Sequence, residues 1–187
     1  DNIILNESNK NNKTITNNSS NINNKTNNNV INKELDLYDD TIVRIKVHRI
    51  NYNWKEPFMK NTAQESIGTG FFIDRKGHIL TNHHVVHNCI KVYIQLPKYG
   101  AKTYECEVIS VNPKLDIALL KSVNYQNNGF LELGDSESIK KGDEVLAIGY
   151  PLGQDKIKIT GGIVSGFQDG DIQTDSAINP GNSGGPL

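Results

Sequence analysis

Residues 68–86, GTGFFIDRKGHILTNHHVV, decide the fold of this 187-residue chain. Apolar runs at 68–74 and 77–82 flank a charged turn that ends in glycine, which is typical of two short strands joined by a tight connection. A histidine-rich segment follows, and residues 84–88 are the one stretch that we predict to form a helical turn. The pattern therefore favours an all-β fold over one in which helices alternate with strands.

Short apolar runs continue on both sides of this stretch. Turn residues recur about every 8–12 positions, which is typical of a β-sandwich or barrel. The linker SVNYQNNG at residues 122–129 divides the runs into two groups, so we predict two small barrels in tandem. The predicted strands are Thr41–Ile50, Gly68–Asp74, Gly77–Asn82, Ile90–Leu96, Thr103–Val111, Asp116–Lys121, Phe130–Leu133, Glu144–Ile148, Ile157–Val164 and Asp171–Thr174.

The beginning of the chain has a different composition from the rest. Asn occupies 14 of the first 32 positions, and the few apolar residues there follow no period. Such a segment buries too little surface to offset its chain entropy, so we predict that residues 1–33 are disordered. The predicted folded domain is 34–187, with a first barrel at about 34–123 and a partial second barrel at about 130–187.

Charge, hydropathy and cysteine content exclude several classes of protein. The formal net charge is −1, which gives no overall field to attract nucleic acid. No apolar run approaches the ~18 residues of a membrane-spanning helix. The two cysteines, Cys89 and Cys106, cannot build a disulfide framework, and we expect them to be separate thiols.

The last ten residues, INPGNSGGPL, contain a candidate nucleophile. Ser183 is followed by two glycines, and Gly181 precedes it by two positions. Glycines permit a tight turn that exposes the serine hydroxyl and lets a substrate carbonyl approach backbone N–H groups. Taken alone, the string could be a flexible turn.

Two upstream segments supply partners for a serine. HILTNHHVVHN offers His83, His84 and His87 as candidates for a general base that follows a strand directly. Asp116 begins the apolar run DIALLK, where a buried carboxylate needs a partner such as an imidazole N–H. His, Asp and Ser in this chain order match the chymotrypsin-type arrangement.

These motifs together resemble the HtrA/DegP family of serine proteases. The similar segments are GTGFFIDRKGHILTNHHVV, LDIALLK, LGDS, AIGYPLG, GGIVSG and IQTDSAINPGNSGGPL. The resemblance implies a chymotrypsin-like double β-barrel, and strands beyond Leu187 are expected to complete the second barrel. It implies that His84 is the base, that Asp116 is its orienting carboxylate and that Ser183 is the nucleophile. It places the oxyanion hole in the stretch Gly181, Asn182 and Ser183, with the N–H groups of Gly181 and Ser183 as donors. It assigns substrate contacts to Ala177 and Ile178.

The resemblance also implies a function. We expect an ATP-independent serine endopeptidase that acts on unfolded or damaged proteins, without a cofactor or metal, in a homotrimer or a multiple of trimers. A secretory or organellar compartment is favoured over the cytosol. Asn182 stands where digestive relatives carry an Asp that pairs with a newly cut N-terminus, so activation by such cleavage is not expected.

Two other functions are compatible with parts of the sequence. A barrel of this kind could serve as a chaperone-like or peptide-binding module with little proteolysis, although an intact triad argues against a purely non-catalytic role. A metal site could use His83, His87 and Cys89, which lie within seven residues, with Cys106 as a further ligand. The segment is too short for a structural zinc motif, and the chain has no Cys-x-x-Cys pair.

Overall fold

The computed structural model describes residues 38–50, Lys55, Phe58 and 63–187. The predicted disordered segment, residues 1–33, lies outside these residues. Within them the strands are β1 (Ile42–Ile50), β2 (Ala63–Phe72), β3 (His78–Asn82), β4 (Cys89–Gln95), β5 (Thr103–Asn112), β6 (Ile117–Ser122), β7 (Glu144–Gly149), β8 (Lys158–Gln168) and β9 (Asp171–Thr174). Residues 38–41 are helical, a one-turn helix spans His83–Val86, and 3₁₀ turns lie at Pro97–Tyr99, Ser136–Ser138 and Pro151–Gly153.

The strands form a closed barrel and a separate partial sheet. The barrel has the order β1-β2-β3-β6-β5-β4, and every pairing in it is antiparallel. The second sheet has the order β7-β8-β9 and is also antiparallel. This architecture confirms the predicted all-β class, with a complete first barrel and a partial second one, as in a chymotrypsin-like double β-barrel.

Strand β1 is buried on both of its faces. Its inward side chains Val43, Ile45 and Val47 have no exposed surface and pack in the core of the closed barrel. On the opposite face, Ile42 packs in a second cluster with residues of the second sheet, Ile148 among them. Each fully buried aliphatic side chain contributes about 1.5–3 kcal/mol, so β1 ties the barrel to the second sheet.

One predicted strand is wrong, and two others are too short. Strand β2 begins at Ala63 and not at the predicted Gly68, because residues 63–67 pair with residues 46–50 of β1. Residues 130–132 belong to no strand, because Leu131 donates its N–H to Phe72 O at 2.8 Å, where β2 ends. Strand β8 runs to Gln168 because the Asp169–Gly170 turn, with φ of 54° and 90°, joins it to β9. An Asp-Gly pair with both φ positive is the type I′ turn that matches the twist of a hairpin.

Both cysteines are free thiols, as predicted. Burial raises the pKa of Cys106 to about 12, and it also raises the pKa of Cys89. Both thiols are therefore protonated at neutral pH and are weak nucleophiles and metal ligands. Among the described residues, no helix is long and apolar enough to cross a bilayer.

Candidate active site

Two hydrogen bonds join His84, in the one-turn helix, to Asp116, which directly precedes β6. The imidazole Nδ1 lies 2.6 Å from Asp116 Oδ2, and the backbone N–H of His84 donates to Oδ1 at 2.8 Å. Because a carboxylate only accepts hydrogen bonds, Nδ1 carries a proton in this pair. In the neutral imidazole, Nε2 is then the basic nitrogen, which suits a general base.

The backbone of Asp116 is fixed by the same short segment of chain. Its carbonyl oxygen accepts from the N–H of His83 at 3.0 Å and from the Asn82 side-chain amide at 2.9 Å. Asp116 has a φ of 51°, a left-handed conformation that costs a non-glycine residue about 1–2 kcal/mol. The four hydrogen bonds from residues 82–84 offset this cost, so the imidazole and the carboxylate have a fixed relative position.

The environment of Asp116 keeps its carboxyl ionised. Burial raises its pKa, but the hydrogen bonds from the His84 ring and backbone and the positive charge of protonated His84 and His83 more than offset that effect. The net pKa lies below the ordinary value of 3.8. The carboxylate is therefore negatively charged at neutral pH and can stabilise an imidazolium on His84.

Among the three candidate histidines, the structure gives only His84 a carboxylate partner within the described residues. The rings of His83 and His87 pack edge to face instead, with centroids 5.1 Å apart. No group of three His, Cys, Asp or Glu side chains in the described part of the chain could hold a metal ion. The geometry therefore favours an acid–base role for His84 over a metal site in this segment.

Ser183 lies in a tight turn that only glycine can form at two of its positions. Gly181 and Gly184 have φ values of 102° and 81°. Asn182 donates its N–H to Asn179 O at 3.0 Å and accepts from Gly185 N at 2.8 Å. The Ser183 side chain is half-buried at the start of the glycine pair.

The serine turn lies beside the histidine helix across Gly68. A Cβ added to Gly68 would come within 2.6 Å of Val85 Cγ1 and 3.4 Å of the Ser183 carbonyl oxygen, so the two segments approach closely there. No hydrogen bond joins the Ser183 hydroxyl to the His84 ring in the part of the chain that the structure describes. Hydrogen bonds of this kind are often long without substrate and tighten when it binds.

Thr69 connects the first barrel to the serine turn by two hydrogen bonds and to Tyr150, which follows β7, by a third. Its backbone N–H donates to Ser183 O at 2.9 Å, and its hydroxyl donates to Gly181 O at 2.7 Å. The same hydroxyl accepts from the N–H of Tyr150 at 3.0 Å. Thr69 is completely buried, so its own N–H and hydroxyl have no water as an alternative partner.

Thr69→Val is expected to destabilise the protein and to lower kcat by about tenfold or more, because the serine turn loses an anchor. The partly buried Gly181 carbonyl and the buried Tyr150 N–H each lose a partner, and leaving a buried group unpaired costs about 1–3 kcal/mol. Urea unfolding and steady-state kinetics measure the two effects. Thr69→Ser is the matched control, since it retains the hydroxyl, and a Val variant with wild-type kcat would contradict the expectation.

The stretch assigned to an oxyanion hole offers two backbone donors. Among the described residues, the N–H groups of Gly181 and Ser183 donate to no other group, whereas the N–H of Asn182 is bonded to Asn179 O. The Asn182 side chain is buried, and its Oδ1 lacks a partner in the described structure. A neutral amide in this position avoids the larger cost of an unpaired buried carboxylate.

The predicted substrate-contact residues precede the serine turn and are exposed. Ile178 is 49% exposed, and the carbonyl of Ala177 accepts a hydrogen bond from the Thr160 hydroxyl at 3.0 Å. Thr160 lies on β8, so this bond attaches the segment to the second sheet. Both residues therefore have accessible surface on the chain that leads to Ser183.

Sequence reasoning missed two residues that contact the segments of the site, Thr69 and Arg49, and it also missed the burial of Arg44. Arg49 donates from Nη2 to the carbonyl of His84 at 2.8 Å and to that of Val85 at 2.5 Å, so it fixes the histidine helix from β1. Arg44 is buried within the same strand. The sequence signal that could have found the two arginines is their place in a run of β-branched residues that is typical of a buried strand. A cation buried in such a strand needs hydrogen-bonding partners, so it is expected to bind neighbouring segments.

Comparison with known proteins shows which class of protein the chain belongs to. A family profile described as a trypsin-like peptidase domain matches residues 68–187. The chain is 40% identical over 139 residues to a probable periplasmic DegP-like serine endoprotease of Chlamydia pneumoniae, covering 68% of this chain and 28% of that protein. It is 44% identical over 131 residues to one of Pseudomonas putida strain GB-1, covering 66% and 27%.

A solved structure of an AlgW variant, an HtrA-type protease with a tripeptide, superposes with a TM-score of 0.66 at 28% identity. The match covers 81% of this chain and 48% of that one. Fold, site and family profile together define a trypsin-like serine peptidase. The relatives narrow this class further, and the chain belongs to the HtrA/DegP family. It spans about a quarter of the length of the curated relatives, 28% and 27% in the two cases above.

Proposed function

We propose that the protein is an ATP-independent serine endopeptidase that hydrolyses peptide bonds of unfolded or damaged proteins. Ser183 is the nucleophile and His84 is the general base. Asp116 orients the imidazole and stabilises the imidazolium that forms on it. The observation that carries this proposal is the double hydrogen bond between Asp116 and His84, which leaves Nε2 as the basic nitrogen. The nucleophile lies in the serine turn, which is separated from the histidine helix by Gly68.

The proposed reaction has two halves. The Ser183 hydroxyl attacks the scissile carbonyl carbon while His84 Nε2 takes its proton, and the N–H groups of Gly181 and Ser183 stabilise the oxyanion. The C–N bond then breaks as His84 returns the proton to the leaving amine, and an acyl-enzyme ester remains. Water then attacks the ester carbonyl carbon while His84 Nε2 takes its proton. The ester C–O bond breaks as His84 returns the proton to the Ser183 oxygen, which releases the second product and the free serine. No step consumes a nucleotide.

The proposed substrates follow from the site and the relatives. An unfolded segment can bind in extended form beside the serine turn, where Ala177 and Ile178 present small apolar surface to the residue before the cut. This surface favours an apolar, uncharged side chain at that position. A role in protein quality control is supported by the DegP-like relatives.

Assembly and compartment are proposed from the same comparisons. The family resemblance supports a homotrimer or a multiple of trimers. The named relatives are periplasmic, which supports a secretory or organellar compartment over the cytosol. Size-exclusion chromatography with light scattering measures the assembly.

We expect a fluorophosphonate probe to label the protein expressed from its complete reading frame, and we expect that protein to cleave reduced, unfolded casein without ATP. A tightly folded protein of similar size should remain intact, since its backbone cannot adopt the extended form. Labelling is measured by in-gel fluorescence and cleavage by electrophoresis. Absence of both reactions in a folded sample would instead favour the second candidate, a chaperone-like or peptide-binding module.

A further inference from the structure

Arg44 is a buried cation on the outward face of β1. Its side chain is only 8% exposed, so its charge needs nearby partners. Nη1 donates to Asp155 Oδ1 at 2.5 Å, and Nη2 donates to the carbonyl of Gly153. Gln95 Oε1 lies at the longer distance of 3.5 Å from Nη1. Two of the three partners thus belong to one short segment, residues 153–155, which follows β7.

This segment has a backbone conformation that needs support from its surroundings. Leu152 and Gly153 both lie in the left-handed region, with φ of 54° and 70°. A non-glycine residue in this region costs about 1–2 kcal/mol and persists where neighbouring contacts fix it. The fork of the Arg44 guanidinium binds Gly153 and Asp155 at once, so it fixes the segment directly after Leu152.

Leu152 in turn bonds the chain that leads to the serine. Its N–H donates to the carbonyl of Pro180 at 2.6 Å. The carbonyl of Pro180 and the N–H of Gly181 belong to the same peptide group, which is planar and trans. The two bonds of that group point in opposite directions, so fixing the Pro180 carbonyl also fixes the direction of the Gly181 N–H.

We propose that Arg44 is a positioning residue for the oxyanion hole, because it fixes residues 153–155 and thereby the Leu152 contact that orients the Pro180–Gly181 peptide. This inference rests on the proposed function, in which the N–H of Gly181 stabilises the oxyanion. Arg44 touches neither the substrate nor the reacting atoms. Its effect falls on stabilisation of the tetrahedral intermediate and leaves the His84–Asp116 pair intact.

Arg44→Met is expected to lower kcat by about 10- to 100-fold with KM changed by less than about threefold, since a misdirected donor acts on the transition state alone. The inhibition constant of a peptide aldehyde, whose hemiacetal oxygen occupies the oxyanion hole, should rise by a similar factor. The pH at the midpoint of the acid limb of kcat/KM should stay the same, because the imidazole and its carboxylate are unchanged.

Two further variants separate positioning from folding. Asp155 is 85% exposed, so Asp155→Asn removes the ion pair at little cost to the fold and should lower kcat by about two- to fivefold. Arg44→Lys should recover part of the loss, because a single ammonium cannot reproduce the guanidinium fork. Lys46→Met is the matched control, on the same face of β1, and should behave as wild type.

Circular dichroism and thermal unfolding verify that each variant is folded. If Arg44→Met does not fold, Asp155→Asn and Arg44→Lys decide the question by the same kcat and aldehyde measurements. Folded variants at Arg44 and Asp155 with wild-type kcat and aldehyde inhibition, or with a change confined to KM, would overturn the inference. A wild-type protein that neither cleaves nor labels would overturn the proposed function instead.

Discussion

Ser183→Ala is expected to lower kcat by about 10⁵- to 10⁶-fold, the largest effect of any single substitution in this chain. The hydroxyl is the only side-chain group of Ser183 that the proposed reaction uses, and alanine has no group that can form the acyl-enzyme in its place. The residual rate over water comes from the oxyanion donors and substrate binding, which the substitution leaves in place.

The substitution should leave the fold intact. Ser183 has an ordinary negative φ, and the structure uses its carbonyl, bonded to the N–H of Thr69, as the anchor of the turn. Alanine keeps that carbonyl, so we expect the free energy of unfolding to change by no more than about 0.5 kcal/mol. KM for a peptide substrate should also be nearly unchanged, because the backbone of the site is the same.

Peptide hydrolysis and fluorophosphonate labelling measure this effect. The labelling should disappear completely, since the probe reacts with the serine oxygen itself. Ser110→Ala, an exposed serine on β5, is the matched control and should keep wild-type activity. A Ser183→Ala protein that retained more than about 1% of kcat would exclude Ser183 as the nucleophile.

Asp116→Asn is expected to lower kcat by about 10⁴-fold. The carboxylate accepts at both oxygens, from the backbone N–H of His84 at 2.8 Å and from the ring Nδ1 at 2.6 Å. An asparagine has one acceptor oxygen and one NH₂ group, so it cannot accept at both places. With the NH₂ facing the ring, Nδ1 becomes the acceptor and Nε2 carries the proton, which prevents His84 from acting as a base.

The chain contains a matched control for this change outside the site. Asp74 makes the same pair of contacts with His78, at 2.6 Å to the ring Nδ1 and 3.1 Å to the backbone N–H. Asp74→Asn should weaken the β2–β3 turn by about 1 kcal/mol and leave kcat unchanged. Equal losses of kcat in the two variants would show that the Asp116 effect is structural and would contradict its orienting role.

The pH dependence of stability follows from the same two carboxylates. Burial raises the pKa of Asp74, but hydrogen bonds from His78 and Lys76 and the charge of His78 bring the net pKa below 3.8, as for Asp116. A carboxyl with a depressed folded pKa contributes stability that is present above its unfolded pKa, about 3.9, and is lost as pH falls through the folded value. Urea unfolding at a series of pH values below neutrality measures this loss of stability.

The sequence by itself determined the strand pattern and the three catalytic candidates. These features depend on neighbours along the chain: alternating apolar residues, glycine turns, and motifs in a fixed order. The Phe130–Leu133 prediction was wrong because an apolar run can also pack without a ladder, as Leu131 does against the end of β2. The hairpin at Asp169–Gly170 was readable from its Asp-Gly pair, which the strand prediction did not use.

The tertiary structure alone decided which residues position the site. Arg44 and Asp155 are 111 residues apart in the chain, and Thr69 and Gly181 are 112 apart, so no local pattern records either contact. The alternation in β1 predicts one buried face, yet Ile42 and Arg44 on the other face are buried as well. The physical reason is that burial and hydrogen bonding depend on which surfaces come into contact after the barrel closes. Patterns of neighbouring residues along the chain do not determine these long-range contacts.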